Sequence, residues 1–218
     1  MQHYNIDGWI SLEGDIALKS AHKQGNGNVN NYQKDQLDES LRYVKNFRTA
    51  IDIGAHIGIM SYNMSPKFKT IHAFEIQPNV YSCLTENLKT KNINNVTTYN
   101  VGLGETSKLV DLNFTERKTF STHITPNSKD GTHQIRSLDS YNFEDIDFIK
   151  IDAEGYEPLI ALGALETIKK TKPTILFERK QHPERYGYKR DSIVEILQPY
   201  GYRIIKEFGR KNALLGVE

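Results

Sequence analysis

The 218-residue chain contains a single cysteine, Cys83. That excludes an internal disulfide framework and a cysteine-built zinc site, and its place in a helical apolar pattern makes it a small core filler. Long apolar runs are also missing. None approaches the ~20 residues that a membrane-spanning helix needs, and no basic-apolar leader opens the chain. A cytoplasmic protein with no membrane contact is therefore expected. Net charge is nearly absent: 28 Lys and Arg against 27 acids give +1, so no global field favours nucleic acid. Basic residues do gather late, with 12 Lys or Arg against 5 acids from Lys169 to Lys211, a pattern that reads first as a solvated face. A hydrophobic fraction of 38% and 25% charged residues exclude disorder, and the length fits one domain.

What is present is an alternation of short apolar runs and helical spacings. Core strands are predicted at Ala50 to Ile53, Thr70 to Phe74, Val96 to Val101, Ile146 to Ile151 and Thr174 to Phe177. Two more, Tyr202 to Ile205 and Asn212 to Val217, close the chain. Helices are predicted over Asp35 to Phe47, Ile57 to Met64, from Pro78 through Leu88, from Leu159 to Ile168, and over Ser192 to Leu197. Such alternation implies an α/β sandwich around a mainly parallel sheet. Before it, Gly8 to Leu12 and Ile16 to Leu18 flank the turn residues Glu13-Gly14-Asp15, predicting a small hairpin. Gly25 to Asn31 is a polar glycine-rich loop, either a surface connection or a mobile flap over a site. Leu109 to Phe114 and Thr132 to Ile135 predict a peripheral antiparallel pair, joined by a polar loop expected on the substrate side. The expected division is an N-terminal extension and helix over residues 1–48, covering the site, and a catalytic domain over 49–218.

The stretch Ala50-Ile51-Asp52-Ile53-Gly54-Ala55-His56-Ile57-Gly58 is organised as strand, glycine turn and helix. It lacks the middle glycine that lets a pyrophosphate approach in dinucleotide-binding turns, and Asp52 would repel a pyrophosphate. That weakens a nicotinamide-dependent oxidoreductase. An acid there suits a cationic ligand such as S-adenosylmethionine, with its ammonium and sulfonium. Glu75, ending the next strand, is placed to accept hydrogen bonds from ribose hydroxyls. A second cluster, Asp152-Ala153-Glu154-Gly155-Tyr156-Glu157, follows a core strand at the sheet edge where open α/β folds bind ligands. Acids there can orient hydroxyls, accept a proton or hold a divalent cation. Glu157 reads more simply as an acid on the first turn of a helix.

The chain resembles the FkbM-type methyltransferases, a family of class I S-adenosylmethionine-dependent enzymes. The resemblance is carried by Ile51 to Gly58, His72-Ala73-Phe74-Glu75-Ile76-Gln77-Pro78-Asn79, Asn87-Leu88, Gly102-Leu103-Gly104 and Ser137-Leu138-Asp139. Its most particular block is Asp147 to Glu157, followed by Lys172 to Glu178. Ile76 stands where the family often has proline. The resemblance implies a seven-stranded Rossmann-like sheet with a reversed final hairpin, and O-methylation of a hydroxyl on a sugar, glycan or small metabolite. It places Asp52, Gly54, Ala55, His56 and Gly58 at the methionine end of the cofactor, and Phe74 and Glu75 at the ribose. Asn100, Val101 and Gly102 fall near the adenine, and Asp152 and Glu154 face the transferred methyl. The expected reaction is a direct in-line displacement by the acceptor oxygen. Glu154 and His182 are candidates for the proton, with His123 behind them and Asp152 beside the methyl. A cation held by Asp152, Glu154 and Glu178 is the alternative. Competing readings are a nucleic-acid or N-directed methyltransferase and a non-catalytic cofactor-binding module.

Overall fold

The computed structural model describes residues 3–115, 117–127 and 131–217. Seven strands form one sheet: Thr49–Ile53 (β1), Thr70–Phe74 (β2), Val96–Tyr99 (β3), Ile146–Ile151 (β4), Thr174–Glu178 (β5), Tyr202–Phe208 (β6) and Asn212–Val217 (β7). Their spatial order is β6-β7-β5-β4-β1-β2-β3. All lie parallel except β7, which runs antiparallel to both neighbours. This is the class I methyltransferase arrangement with the reversed final strand.

Alternation along the strands sorts side chains into two layers. Ile51, Ile53, Ile149, Ile151, Ile175 and Phe177 face one side. They meet Ile160 of α5 (Glu157–Leu162), Ile168 of α6 (Leu165–Thr171) and Ile193 and Leu197 of α7 (Ser192–Leu197). Ala50, Ile71, Phe148, Leu176 and Leu214 face the other side. There they meet Leu37 and Leu41 of α2 (Lys34–Leu41) and Met60 and Met64 of α3 (Ile59–Met64). Leu84 and Leu88 of α4 (Pro78–Thr90) pack on Ala55 and Ala73. Among the described residues no helix is long and apolar enough to cross a membrane.

Several local expectations change. The N-terminal hairpin pairs His3–Ile6 with Trp9–Leu12, turning at Asp7-Gly8. Both turn residues have positive φ, 55° and 72°, as the two-residue turn matched to strand twist requires. Residues 17–24 are α1 (Ala17–Gln24), not the second strand of a hairpin. Helix α2 ends at Leu41, short of Phe47. The helix expected through Ile168 breaks at Gly163, where a Cβ would stand 1.9 Å from the Gly104 carbonyl oxygen. The glycine-rich loop is packed: Val29 is fully buried, and Asn30 accepts the Trp9 indole N–H at 2.9 Å. The peripheral pair forms between Lys108–Val110 and His133–Arg136. The rest of the first run, Leu112–Asn113, pairs with His123–Ile124 instead.

Candidate active site

The carboxyl ends of β1, β2 and β4 open into a cleft with about 1000 Å³ of empty space. Gly54 begins its floor. Its φ is +74°, and a Cβ would lie 1.9 Å from the Asp152 carbonyl oxygen, so only glycine lets β1 and β4 end this close together. Beyond it, His56 has a φ of 52°, and its N–H donates to Glu75 Oε2 at 2.9 Å. Gln77 N–H donates to Glu75 Oε1 at 2.8 Å. Glu75 is 4% exposed and faces the cleft. Burial pushes its pKa up to about 7, against the pull of those two N–H donors.

Of the residues expected at the cofactor, Gly54, Ala55, His56, Phe74, Glu75, Gly102 and Asp152 line this cleft. Asp52, Gly58, Asn100 and Val101 are not among its lining residues. Asp52 is fully buried beneath the turn, where it accepts the Ser61 hydroxyl at 2.6 Å. Parallel pairing puts Lys150 directly beside it in register. The Lys150 ammonium stands 3.5 Å from both Asp52 Oδ1 and Asp152 Oδ2. Asp52 Oδ1 has no hydrogen-bond donor, so its tie to Lys150 is one of charge. Burial works to lower the lysine pKa, but the Asp152 and Asp52 charges outweigh it and hold the value above the ordinary one. The negative charge of Asp52 is thus answered inside the protein, which corrects its assignment to a cationic ligand. Gly58, with φ +96°, starts α3. Asn100 donates to the Glu75 carbonyl oxygen at 2.8 Å, shaping the strand end rather than facing the cleft.

A second cleft, with about 860 Å³ of empty space, adjoins the first. Tyr32, Gln33, His56, Phe120, Asp152 and Glu154 line both. Its remaining wall is mostly polar, with Ser20, Gln24, Glu178, Lys180, Lys211 and Asn212 beside Ala17 and Ala21. The acidic block forms this junction. Glu154 has a φ of 51° and Gly155 of 107°. Glu157, 2% exposed, holds the bend by accepting N–H groups from Ala153 at 3.0 Å and Gly155 at 3.2 Å. Its role is structural, though it clasps the preceding turn rather than capping the helix. Burial pushes its pKa up to about 7.

His182 lines neither cleft. It sits behind Glu154, with Nδ1 2.9 Å from Glu154 Oε2. Burial and the nearby Lys180 and Arg185 charges lower its pKa to about 4, which leaves the ring neutral. Burial, then the Asp152 and Glu154 charges, push Glu178 up to about 9. Among the described residues Glu154, Glu178 and His182 bring possible ligand atoms within 4.8 Å of one another; Asp152, named in the expected set, is not in this group. His123 lines the first cleft from the peripheral strands.

Sequence reasoning missed the residues that roof the first cleft. Thr119 Oγ1 lies 2.6 Å from His56 Nε2 and 2.8 Å from Asp15 Oδ2, and its carbonyl accepts from Gln77 at 3.0 Å. The hydroxyl donates to Asp15, so the neutral His56 ring donates to the hydroxyl. Burial takes the His56 pKa down to about 4. Lys150 was missed too, although a lysine inside an otherwise apolar strand ending in acid was a legible signal. Tyr32 bridges the two clefts, and burial followed by the Asp152 charge raises its pKa to about 12.

The family model described as "Methyltransferase FkbM domain" matches residues 52–204. The chain belongs to this family. The matched span contains the glycine turn, Glu75 and the whole acidic block. Among solved structures, the FkbM methyltransferase of Methylobacillus flagellatus aligns with a TM-score of 0.54 and 21% identity. The alignment covers 77% of this chain and 43% of that one, so this chain spans under half of that protein's length. A SAM-dependent methyltransferase from Aquifex aeolicus aligns with a TM-score of 0.51 and 15% identity, covering 85% of this chain and 89% of that one. A precorrin-6y C5,15-methyltransferase from Geobacter metallireducens gives 0.51 and 16%, covering 84% and 85%. At these identities the likeness shows the fold. No curated protein matches the chain.

Proposed function

We propose that this FkbM-family protein transfers a methyl group from S-adenosylmethionine to a hydroxyl of a sugar, glycan or small metabolite. The observation that carries the reading is the junction at Asp152 and Glu154. It joins a cleft with a buried acid at a strand end to a second cleft with a polar wall. The first cleft suits the cofactor. Glu75 offers its remaining lone pairs to the ribose hydroxyls. The Gly54-Ala55-His56 backbone and Asp152 take the methionine end. Phe74, Gly102 and the apolar side chains of Leu103 and Ile160 take the adenine side.

The acceptor enters the second cleft, where Gln24, Gln33, Lys180 and Asn212 meet hydroxyl groups. S-adenosylmethionine supplies an electrophilic methyl on a sulfonium. The protein's part is to hold the acceptor oxygen in line with it and to receive the proton. The oxygen forms a bond to the methyl carbon, the C–S pair returns to sulfur, and the hydroxyl proton leaves to a carboxylate at the junction, Asp152 or Glu154.

The test incubates the chain with S-adenosylmethionine and a panel of free sugars, sugar nucleotides and hydroxylated metabolites, alongside amines and RNA. Mass spectrometry reads the products. The expected result is S-adenosylhomocysteine with an O-methylated product. Methyl transfer to amines or RNA alone would refute the O-directed reading, and failure to bind S-adenosylhomocysteine would refute the cofactor assignment.

A further inference from the structure

Glu154 and Glu178 line the second cleft, and His182 stands behind them; the three bring one ligand atom each within 4.8 Å of one another. How their oxygens are shared out is informative. Lys180 takes one side of the pair: its ammonium contacts Glu178 Oε1 and stands 3.7 Å from Glu154 Oε1. Both Oε2 atoms are left turned towards His182 Nδ1, at 2.9 Å from Glu154 and 3.7 Å from Glu178. Glu178 has a side chain 9% exposed, and its Oε2 has no hydrogen-bond partner. His182 Nδ1 has none either, because its approach to Glu154 lacks hydrogen-bond direction. A buried carboxylate oxygen and a buried ring nitrogen, both without donors, thus point at one space. Buried polar atoms are seldom left in that state unless something outside the chain completes them.

We propose that Glu154 Oε2, Glu178 Oε2 and His182 Nδ1 form a binding site for one divalent cation of the Mn²⁺ or Mg²⁺ type. Adjacent ligands around an ion bonded at ~2.1 Å lie about 3.0 Å apart in octahedral geometry, and the two histidine-to-carboxylate distances bracket that spacing. Two carboxylate oxygens and one imidazole leave three positions for water and for an acceptor oxygen entering from the cleft. This donor set is harder than a zinc-type cage of thiolates and histidines. Lys180 stays on the outer oxygens and keeps both carboxylates facing inward.

The ion's part in the reaction rests on the acceptor reading of the second cleft; its binding does not. Bound to the ion, an acceptor hydroxyl loses its proton more readily, and with Glu154 engaged that proton passes to Asp152. The resulting oxygen then attacks the methyl as described above.

The experiment titrates Mn²⁺ into the full chain, without S-adenosylmethionine, and counts free ion by electron paramagnetic resonance. Binding of S-adenosylhomocysteine, measured in parallel, reports folding. The wild-type chain is expected to bind one Mn²⁺, with Mg²⁺ competing for it. Glu178→Gln and His182→Ala are each expected to weaken Mn²⁺ at least tenfold and to leave S-adenosylhomocysteine affinity within twofold. Absence of bound Mn²⁺ at millimolar concentration, or unaltered Mn²⁺ affinity in Glu178→Gln, overturns the site. Glu178-dependent Mn²⁺ binding in a chain that methylates no hydroxyl would uphold the site and refute the O-methyltransferase reading.

Discussion

Replacing Lys150 by methionine probes the charge arrangement under the glycine turn. The lysine side chain is 7% exposed and stands 3.5 Å from a carboxylate oxygen of each aspartate. At an effective dielectric of ~20, each such pair attracts by about 5 kcal/mol, against the cost of burying the ammonium. Methionine keeps the length and apolar stem but leaves Asp52, fully buried, with only the Ser61 hydroxyl. Removing one partner of a buried pair costs about 3–5 kcal/mol because the remaining charge has no answer. For a domain of this size that is a drop of roughly 10 °C in Tm. Asp52→Asn together with Lys150→Met removes both charges, so about half of the loss should return. Urea denaturation at pH 7 of the wild type, both single variants and the double variant measures the coupling. The sign of the pH effect is also set. A lysine pKa raised by folding contributes stability that is fully present below its unfolded value near 10.4 and is lost only as pH rises through the folded value. Lys150 should therefore add no slope between pH 5 and pH 9, taken as about the range of the assay. A loss under ~1 kcal/mol in Lys150→Met, or a double variant no more stable than it, would refute the reasoning.

Three further outcomes test the cofactor cleft and the junction. Glu75 has a folded pKa near 7, above its unfolded value, so its own contribution to the stability of the ligand-free protein should fall as pH rises from about 4.5 and level off above 7, beside the losses that Glu157 and Glu178 add up to about 7 and about 9. Glu75→Gln should flatten that slope by up to ~3 kcal/mol and weaken S-adenosylhomocysteine tenfold or more, as calorimetry at pH 6 and pH 8 would show. Gly54→Ala combines a positive φ with a 1.9 Å clash against backbone, and should cost ~3 kcal/mol and most cofactor binding. Gly58→Ala carries a positive-φ strain too, at +96°, but its Cβ presses on the end of a side chain, Leu84 Cδ1 at 2.7 Å, rather than on backbone, and should lose less by the same thermal and binding assays because that end can swing. Glu154→Gln should lower kcat by about a hundredfold or more with KM for S-adenosylmethionine unchanged; unaltered turnover would remove Glu154 from the reaction.

The fold was legible because its signals are local. Short apolar runs such as Ile146 to Ile151 and the glycine turn at Gly54 report burial and backbone shape whatever lies across the sheet. Glu75 and the block from Asp152 to Glu157 sit at strand ends, and a parallel α/β sheet gathers strand ends at one edge. Those facts determined the sheet, the edge of it where the cleft opens, and the buried acid at the end of β2. Partner choice was decided only by tertiary structure. Strand register sets Lys150 beside Asp52 and turns an expected cofactor contact into an internal charge pair. A 3-10 turn over residues 182–186 brings His182 behind Glu154 rather than into the cleft, and groups it with Glu178 in place of Asp152. Thr119 reaches His56 across 63 positions and Asp15 across 104, through loops with no periodicity to read. A residue's own neighbours in the chain say whether it is buried; which charge it meets there depends on packing between distant segments, and no local pattern carries that information.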